Sequence, residues 1–463
     1  MTSRGSKEFP EQKLLFRWIN RSIDRSKSSH QEKNYEKLKR RFGLFPFIII
    51  PKYGREKLHD PVCYTETAEK SCFRLKTTTK MKPKMNLILF TMLITWLSAC
   101  DNSATDPIIE TTDPPIDSTT NEILYTFPEE SELHEGTWLQ WPHQYQYGIQ
   151  FRNRMDPTWI ELTRELRTSE NVHIVAYDTT ERDRIIGLLN NANIDLTNVD
   201  FYIYPNDDFW IRDNGPIYVR DNDGKLVIQD WGFNGWGNKA AYDNCDAIPT
   251  RIGQSQGRQV VDLNSIMINE GGSVELDGHG SLMACKSSIL NSNRNPEMTQ
   301  AQAEQIFKKY LGVTNFIWLD GQAGLEVTDQ HIDGFARFGN ANTIVTMNNN
   351  DLLNYDVLQS DIDKLYAAKN KNGTAYNFLI LPLTQNDVLT TYGQNLGYKG
   401  SYCNYYIANT KVIVPTYNDP NDAVAIQALQ TLYPNRTVVG IDFRDAYANG
   451  GMTHCVTQQQ PAE

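Results

Sequence analysis

Cys455 lies in Asn449-Gly450-Gly451-Met452-Thr453-His454-Cys455, a double-glycine turn near the C-terminal end, followed by the polar run Thr457-Gln458-Gln459-Gln460-Pro461. A thiol becomes a nucleophile when a neighbouring base or positive charge holds it as thiolate. His454 is not the expected base, because adjacent side chains of an extended segment point to opposite faces. His331 is the available partner from elsewhere in the chain. His331 and Asp333 stand two apart in Thr328-Asp329-Gln330-His331-Ile332-Asp333-Gly334. If that piece is extended, imidazole and carboxylate share one face. The pair could also ligate a metal, but no other cluster offers ligand spacing, so no metal is expected.

Three further polar clusters stand out in turn-like sequence. Asn206-Asp207-Asp208-Phe209-Trp210-Ile211-Arg212-Asp213-Asn214-Gly215-Pro216 carries Asp207, Asp213 and Trp210; Asn269-Glu270-Gly271-Gly272-Ser273 carries Glu270; Ser401-Tyr402-Cys403-Asn404 carries Asn404. The aspartates could equally be turn corners, Glu270 a hinge residue and Asn404 a turn former before a strand. A thiol, an imidazole and several carboxylates without a metal pattern suit a planar cationic substrate. A guanidinium is such a group, since carboxylates grip it bidentately while a thiol attacks its carbon.

The elements that must position these residues alternate along the chain. Strand candidates are Val172–Tyr177, Phe201–Tyr204, Lys225–Gln229, Phe316–Leu319, Thr343–Thr346, Phe378–Leu381, Tyr405–Pro415 and Val438–Phe443. Between them fall helical patterns at Trp159–Arg167, Glu181–Leu189, Thr299–Leu311, Asp361–Lys369 and Asp422–Leu432. Such alternation defines an α/β class. Thr299 opens a capping-box spacing, and no sequence repeat is evident.

The chain has 463 residues, 40% hydrophobic and 22% charged, which excludes wholesale disorder and a coiled coil. Its charge is uneven: residues 1–99 hold 21 Lys+Arg against 9 Asp+Glu, and residues 100–463 hold 24 against 47. The acidic part attracts cations rather than nucleic acid. At the break, a basic Met81-Lys82-Pro83-Lys84-Met85, a short apolar run Leu87–Leu97 and the ending Leu97-Ser98-Ala99-Cys100 resemble a bacterial lipoprotein signal. The expected organisation is an upstream extension over 1–80, a signal over 81–99, lipidated Cys100 with a polar tether over 100–121, and a catalytic domain over 122–463. That places the protein in the cell envelope, tethered to a membrane by lipid. Of seven cysteines, at 63, 72, 100, 245, 285, 403 and 455, none forms a CxxC pair, and Cys245, Cys285 and Cys403 read as structural.

Taken in order, the five clusters resemble the agmatine deiminase and bacterial peptidyl-arginine deiminase family of guanidine-modifying enzymes. Trp138-Leu139-Gln140-Trp141-Pro142-His143, Leu290-Asn291-Ser292-Asn293-Arg294-Asn295-Pro296 and the ending from His454 to Pro461 support the match. The resemblance implies a closed five-bladed α/β propeller of the pentein type around a central cleft, and no cofactor. It also implies roles: Cys455 as nucleophile, His331 as general acid and base, Asp213 and Asp333 on the guanidinium nitrogens, and Glu270 orienting within the site. Trp210, Asn404 and Asp207 would contact the substrate.

Relatives that act on a C-terminal arginine resemble one another in carrying basic residues soon after the Asp213 motif. Here the segment reads Gly232-Phe233-Asn234-Gly235-Trp236-Gly237-Asn238, without Arg. The expected substrate is therefore agmatine, converted to N-carbamoylputrescine. Peptidyl arginine is the alternative that the lipoprotein address favours, and a cationic-solute-binding lipoprotein is the non-catalytic one.

Overall fold

In the computed structural model, which describes residues 122–463, five small sheets share one pattern of pairing. In each, an antiparallel pair is followed by a strand that returns in parallel beyond a helix. Parallel neighbours require such a crossover, and a helix on the sheet face supplies it.

The first sheet pairs Gln458–Pro461 antiparallel with His134–Gln140, then adds Asn171–Ala176 and Val199–Ile203 in parallel. The C-terminal strand thereby completes the sheet begun by residues near 134. The second sheet runs Tyr125–Thr126, Ile217–Asp221, Leu226–Gly232, Val260–Ile268. The third is Val274–Leu276, Ser281–Cys285, Asn315–Leu319; the fourth Ala336–Asn340, Thr343–Thr346, Asn377–Ile380; the fifth Tyr406–Ile407, Lys411–Thr416, Thr437–Asp442. The expected strand Tyr405–Pro415 is two strands, because the chain reverses at Asn409 and Thr410.

Helices Ile149–Leu166, Thr179–Asn191, Ile248–Gln256, Gln300–Leu311, Gln359–Tyr366 and Asn421–Leu432 make the crossovers. Thr299 closes the predicted capping box: its hydroxyl takes the Gln302 amide, and the Gln302 side chain takes the Thr299 amide. The first crossover helix starts ten residues before the expected Trp159, with Pro157 inside it. Its buried Phe151, Met155, Trp159, Leu162 and Leu166 recur at helical spacing and cover the first sheet. Trp159 is fully buried and its indole N–H donates to the Gln140 carbonyl at 2.8 Å. Truncating such a side chain to Ala costs about 3–5 kcal/mol.

The five polar clusters occupy equivalent places. The helical turn Ile211–Asn214 immediately precedes Ile217–Asp221, and the 3₁₀ turn Gly271–Ser273 precedes Val274–Leu276. The turn Ile332–Gly334 precedes Ala336–Asn340, Ser401–Asn404 precedes Tyr406–Ile407, and the turn His454–Val456 precedes Gln458–Pro461. Each cluster therefore enters the leading strand of one sheet. The architecture is an α/β fold in which one structural unit is used five times and one loop of each unit carries polar chemistry.

Candidate active site

Three of these five turns meet at the backbone of Gly272. A Cβ at that position would lie 2.7 Å from Asp213 Oδ1, 2.8 Å from His331 Nδ1 and 3.1 Å from Asp333 Oδ2. Glycine is required here for space, since any side chain would fill the point that the two carboxylates and the imidazole surround. Gly272 also donates its amide to Asp213 Oδ1 at 3.1 Å.

Around that point the titrating groups are buried and mutually paired. His331 Nε2 meets Glu270 Oε2 at 2.9 Å, and His331 Nδ1 stands 3.6 Å from Asp213 Oδ1. Burial disfavours the imidazolium, but Asp213, Glu270 and Asp333 outweigh it and raise the His331 pKa to about 9. For Asp213 burial dominates, and although His331 acts against it, Asp333 and Glu270 add to the rise, to about 6. Glu270 shows the reverse outcome: burial is overcome by Arg294 and His331, and its pKa is lowered. Asp333 is likewise lowered against burial, chiefly through His454.

Cys455 keeps part of its surface exposed, whereas Cys245, Cys285 and Cys403 are buried free thiols. Its Sγ lies 3.9 Å from Asp333 Oδ2 and 3.4 Å from Asn404 Oδ1. Burial, then Asp333 and Asp213, push the thiol well above its usual range, which favours the protonated thiol in the site without substrate. Trp210 packs on the cysteine loop: a Cβ at Gly451 would lie 2.2 Å from its ring, which explains a second glycine there.

Several expected details change. Neither His331–Asp333 nor His454–Cys455 is extended; each pair lies at a 3₁₀ turn, Ile332–Gly334 and His454–Val456. His331 and Asp333 share the site through that turn and not through strand alternation. His454 is buried behind Asp333, with its Nδ1 2.8 Å from Asp333 Oδ2, so it faces away from the reacting side for a reason other than strand geometry.

Asn404, expected to contact substrate, holds the cysteine turn. Its Oδ1 accepts the amides of His454 at 2.9 Å and Cys455 at 3.3 Å, and its Nδ2 donates to the Asp333 carbonyl at 3.2 Å. Asp207 is not brought to the cluster. Its carboxylate accepts from the Asn244 amide at 2.7 Å and the Asn244 side chain at 2.9 Å, clamping the start of the turn Asp243–Asp246.

Sequence reasoning gave no role to the shell that fixes these groups. Trp236 Nε1 donates to Asp213 Oδ2 at 2.9 Å from a backbone in the left-handed region, φ 54° and ψ 44°. A bulky residue held there marks a locally strained loop, as functional sites often contain. Arg294, with no exposed side-chain surface, bridges Glu270 Oε1 at 2.6 Å and Asp329 Oδ2 at 2.7 Å. Lys239 also binds Asp329 Oδ2, at 2.7 Å. Arg294 and Trp236 lie in the segments that carried the family resemblance, but neither residue type announces partners 23, 24 and 35 positions away in the chain. Among the described residues no group of three or more His, Cys, Asp or Glu side chains is arranged to hold a metal ion.

A buried set of carboxylates and an imidazole around one small space, with an accessible thiol at its edge, defines an enzyme site for a compact cation. The chain belongs to the Porphyromonas-type peptidyl-arginine deiminase family, whose model matches residues 126–461. It is similar to an agmatine deiminase of Pseudomonas aeruginosa, 29% identical over 362 residues that cover 73% of this chain and 96% of the relative. Among solved structures it resembles a C. jejuni agmatine deiminase, a cysteine-to-serine variant with substrate bound, at 26% identity and TM-score 0.62, covering 73% of this chain and 96% of that one. An Enterococcus faecalis agmatine deiminase, 24% identical with TM-score 0.64 over 73% of this chain and 96% of that one, shares the fold.

Proposed function

We propose that this protein is a guanidine deiminase that hydrolyses agmatine to N-carbamoylputrescine and ammonia. The observation that carries the reading is the convergence of Asp213, His331 and Asp333 on the space above Gly272, with Cys455 Sγ 3.9 Å from Asp333. Planar guanidinium hydrogens match paired carboxylates, and the thiol is then beside the central carbon.

In this mechanism Asp213 and Asp333 bind the guanidinium nitrogens. The incoming positive charge offsets the carboxylates that hold the thiol protonated, so Cys455 releases its proton to solvent water as substrate enters. The Sγ–C bond forms, protonated His331 donates to the departing amine, and ammonia leaves a cationic thiouronium on Cys455. Neutral His331 then deprotonates water, the oxygen adds to the same carbon, and cleavage of the Sγ–C bond releases the ureido product. Glu270 holds His331 through Nε2.

Lys239 supports agmatine over an arginine carboxylate. It is the cation nearest in sequence to the Gly235–Asn238 turn, and its ammonium is engaged by Asp329 and by the Val327 carbonyl at 2.8 Å. The family model's name keeps peptidyl arginine as the second reading. Ammonia and ureido product measured side by side from agmatine, free arginine and an arginine-terminated peptide separate the two. Preference for the peptide would overturn the agmatine assignment, and turnover of none would return the protein to a binding role.

We further read the five sheets as blades of a closed propeller, supported by their common pairing and by the C-terminal strand joining the first sheet. The extension 1–80, the signal 81–99, lipidated Cys100 and the tether lie outside the described residues. We propose a lipid-anchored enzyme of the cell envelope on the sequence pattern alone. Metabolic labelling with a fatty acid, lost in Cys100→Ala, tests it.

A further inference from the structure

His454 has a carboxylate against each ring nitrogen. Nδ1 is 2.8 Å from Asp333 Oδ2, and Nε2 is 2.9 Å from Glu130 Oε2. A neutral imidazole has one N–H and one lone pair, so it can satisfy only one ionised carboxylate. The other contact would set a lone pair against a carboxylate at less than 3 Å. Both carboxylates have cause to be ionised. Glu130 takes Arg337 Nη2 at 2.7 Å and the Ile407 amide at 2.9 Å, with Arg212 Nη2 3.8 Å away. These partners and His454 hold Glu130 far below the usual carboxylate range despite burial.

The remaining surroundings fix the ring in place. The His454 amide donates to Asn404, its carbonyl accepts Arg212 Nε at 3.3 Å, and Glu275 lies across Arg337 in ion-pair contact. Glu130 also borders a hollow lined by Arg212, Glu275, Arg337, Gln459 and His454 together with apolar side chains such as Val274. Thus the facing charges are Asp333 on the substrate side, and Glu130, Glu275, Arg212 and Arg337 behind.

We propose that His454 carries hydrogen on both ring nitrogens in the resting enzyme, and that it is a positioning residue which uses this charge to keep Asp333 an ionised, correctly aimed guanidinium ligand beside Cys455. The link explains the difference between the two substrate carboxylates. Asp213, whose imidazole partner stands at 3.6 Å, has a raised pKa, whereas Asp333, bonded to His454 at 2.8 Å, has a lowered one. Glu130, from the loop ahead of the first sheet, anchors the far side of the ring.

The role in substrate binding rests on the deiminase reading, but the protonation state does not, so the two fail separately. In ¹⁵N-histidine-labelled enzyme without substrate, the His454 signals should show both nitrogens protonated at neutral pH. One unprotonated nitrogen at neutral pH overturns the proposal. His454→Asn keeps a neutral donor near the Nδ1 position and removes the charge. It should raise KM for the guanidine about tenfold or more near pH 6 and less near pH 8, with kcat changed less, and Glu130→Gln should shift KM in the same direction. An equal, pH-independent loss in both variants would mark a purely structural role and contradict the positioning assignment.

Discussion

Asp213 and His331 face each other at 3.6 Å across a space that Gly272 leaves empty. The pair comes from the leading turns of the second and fourth sheets, and the glycine from that of the third. No stretch of chain joins them except through the folded core.

Gly272→Ala should therefore fold and fail to turn over. The added methyl would sit 2.7 Å from Asp213 Oδ1 and 2.8 Å from His331 Nδ1, so both must move. A displacement of that size at reacting groups lowers kcat/KM about a hundredfold. Circular dichroism close to wild type alongside steady-state ammonia release would check it, and near-normal turnover would mean that the guanidinium does not occupy this space.

The pH dependence follows from the same pair. Below about 6, Asp213 takes up a proton and loses its hold on the cation; above about 9, His331 loses the proton it must donate. A plot of kcat/KM, which reports the free enzyme, should be bell-shaped between those limits. Both groups bind protons more tightly folded than unfolded, so both reduce stability as pH rises. The Asp213 contribution is lost between its ordinary 3.8 and about 6, and the His331 contribution between 6.5 and about 9. Thermal midpoints measured across that range should fall on the alkaline side, and an Asp213→Asn variant should lose the acid limb of the rate profile.

The α/β alternation and the chemistry-bearing residues were legible in the sequence because they depend on residue type and local period. Thr343–Thr346 and the Thr299 cap came out as expected for that reason. The fivefold repetition was not legible, because the equivalent turns mostly hold unlike residues: Asp213 and Asp333 match, but Gly272, Asn404 and Cys455 share only their position in the fold. Extended geometry was the wrong premise at residues 331–333 and 454–455, where the chain must turn into its next strand. The roles of Arg294, Trp236 and Glu130 stayed hidden because their partners lie far along the chain. The family resemblance implied substrate contact for Asn404 and Asp207; in the fold Asn404 holds the backbone amides and thiol of the cysteine turn, and Asp207 holds Asn244, partners that residue type does not reveal.

Arg294 illustrates what that hidden shell contributes. Arg294→Met would leave Glu270 and Asp329 as buried carboxylates without their guanidinium, at a cost of about 3–5 kcal/mol in urea unfolding. Arg294→Lys should recover only part of it, since one ammonium cannot reproduce contacts from Nε and Nη1 to two carboxylates. A loss below 1 kcal/mol, roughly that of a surface pair, would show that water reaches the site freely.

The central claim is covalent catalysis by Cys455, and acid quenching during agmatine turnover followed by peptide mass spectrometry tests it most directly. The account predicts an adduct of agmatine minus ammonia on the peptide that carries Cys455, and loss of at least about a thousandfold in turnover for Cys455→Ala. Full turnover by Cys455→Ala, or an adduct confined to Cys245, Cys285 or Cys403, would contradict it.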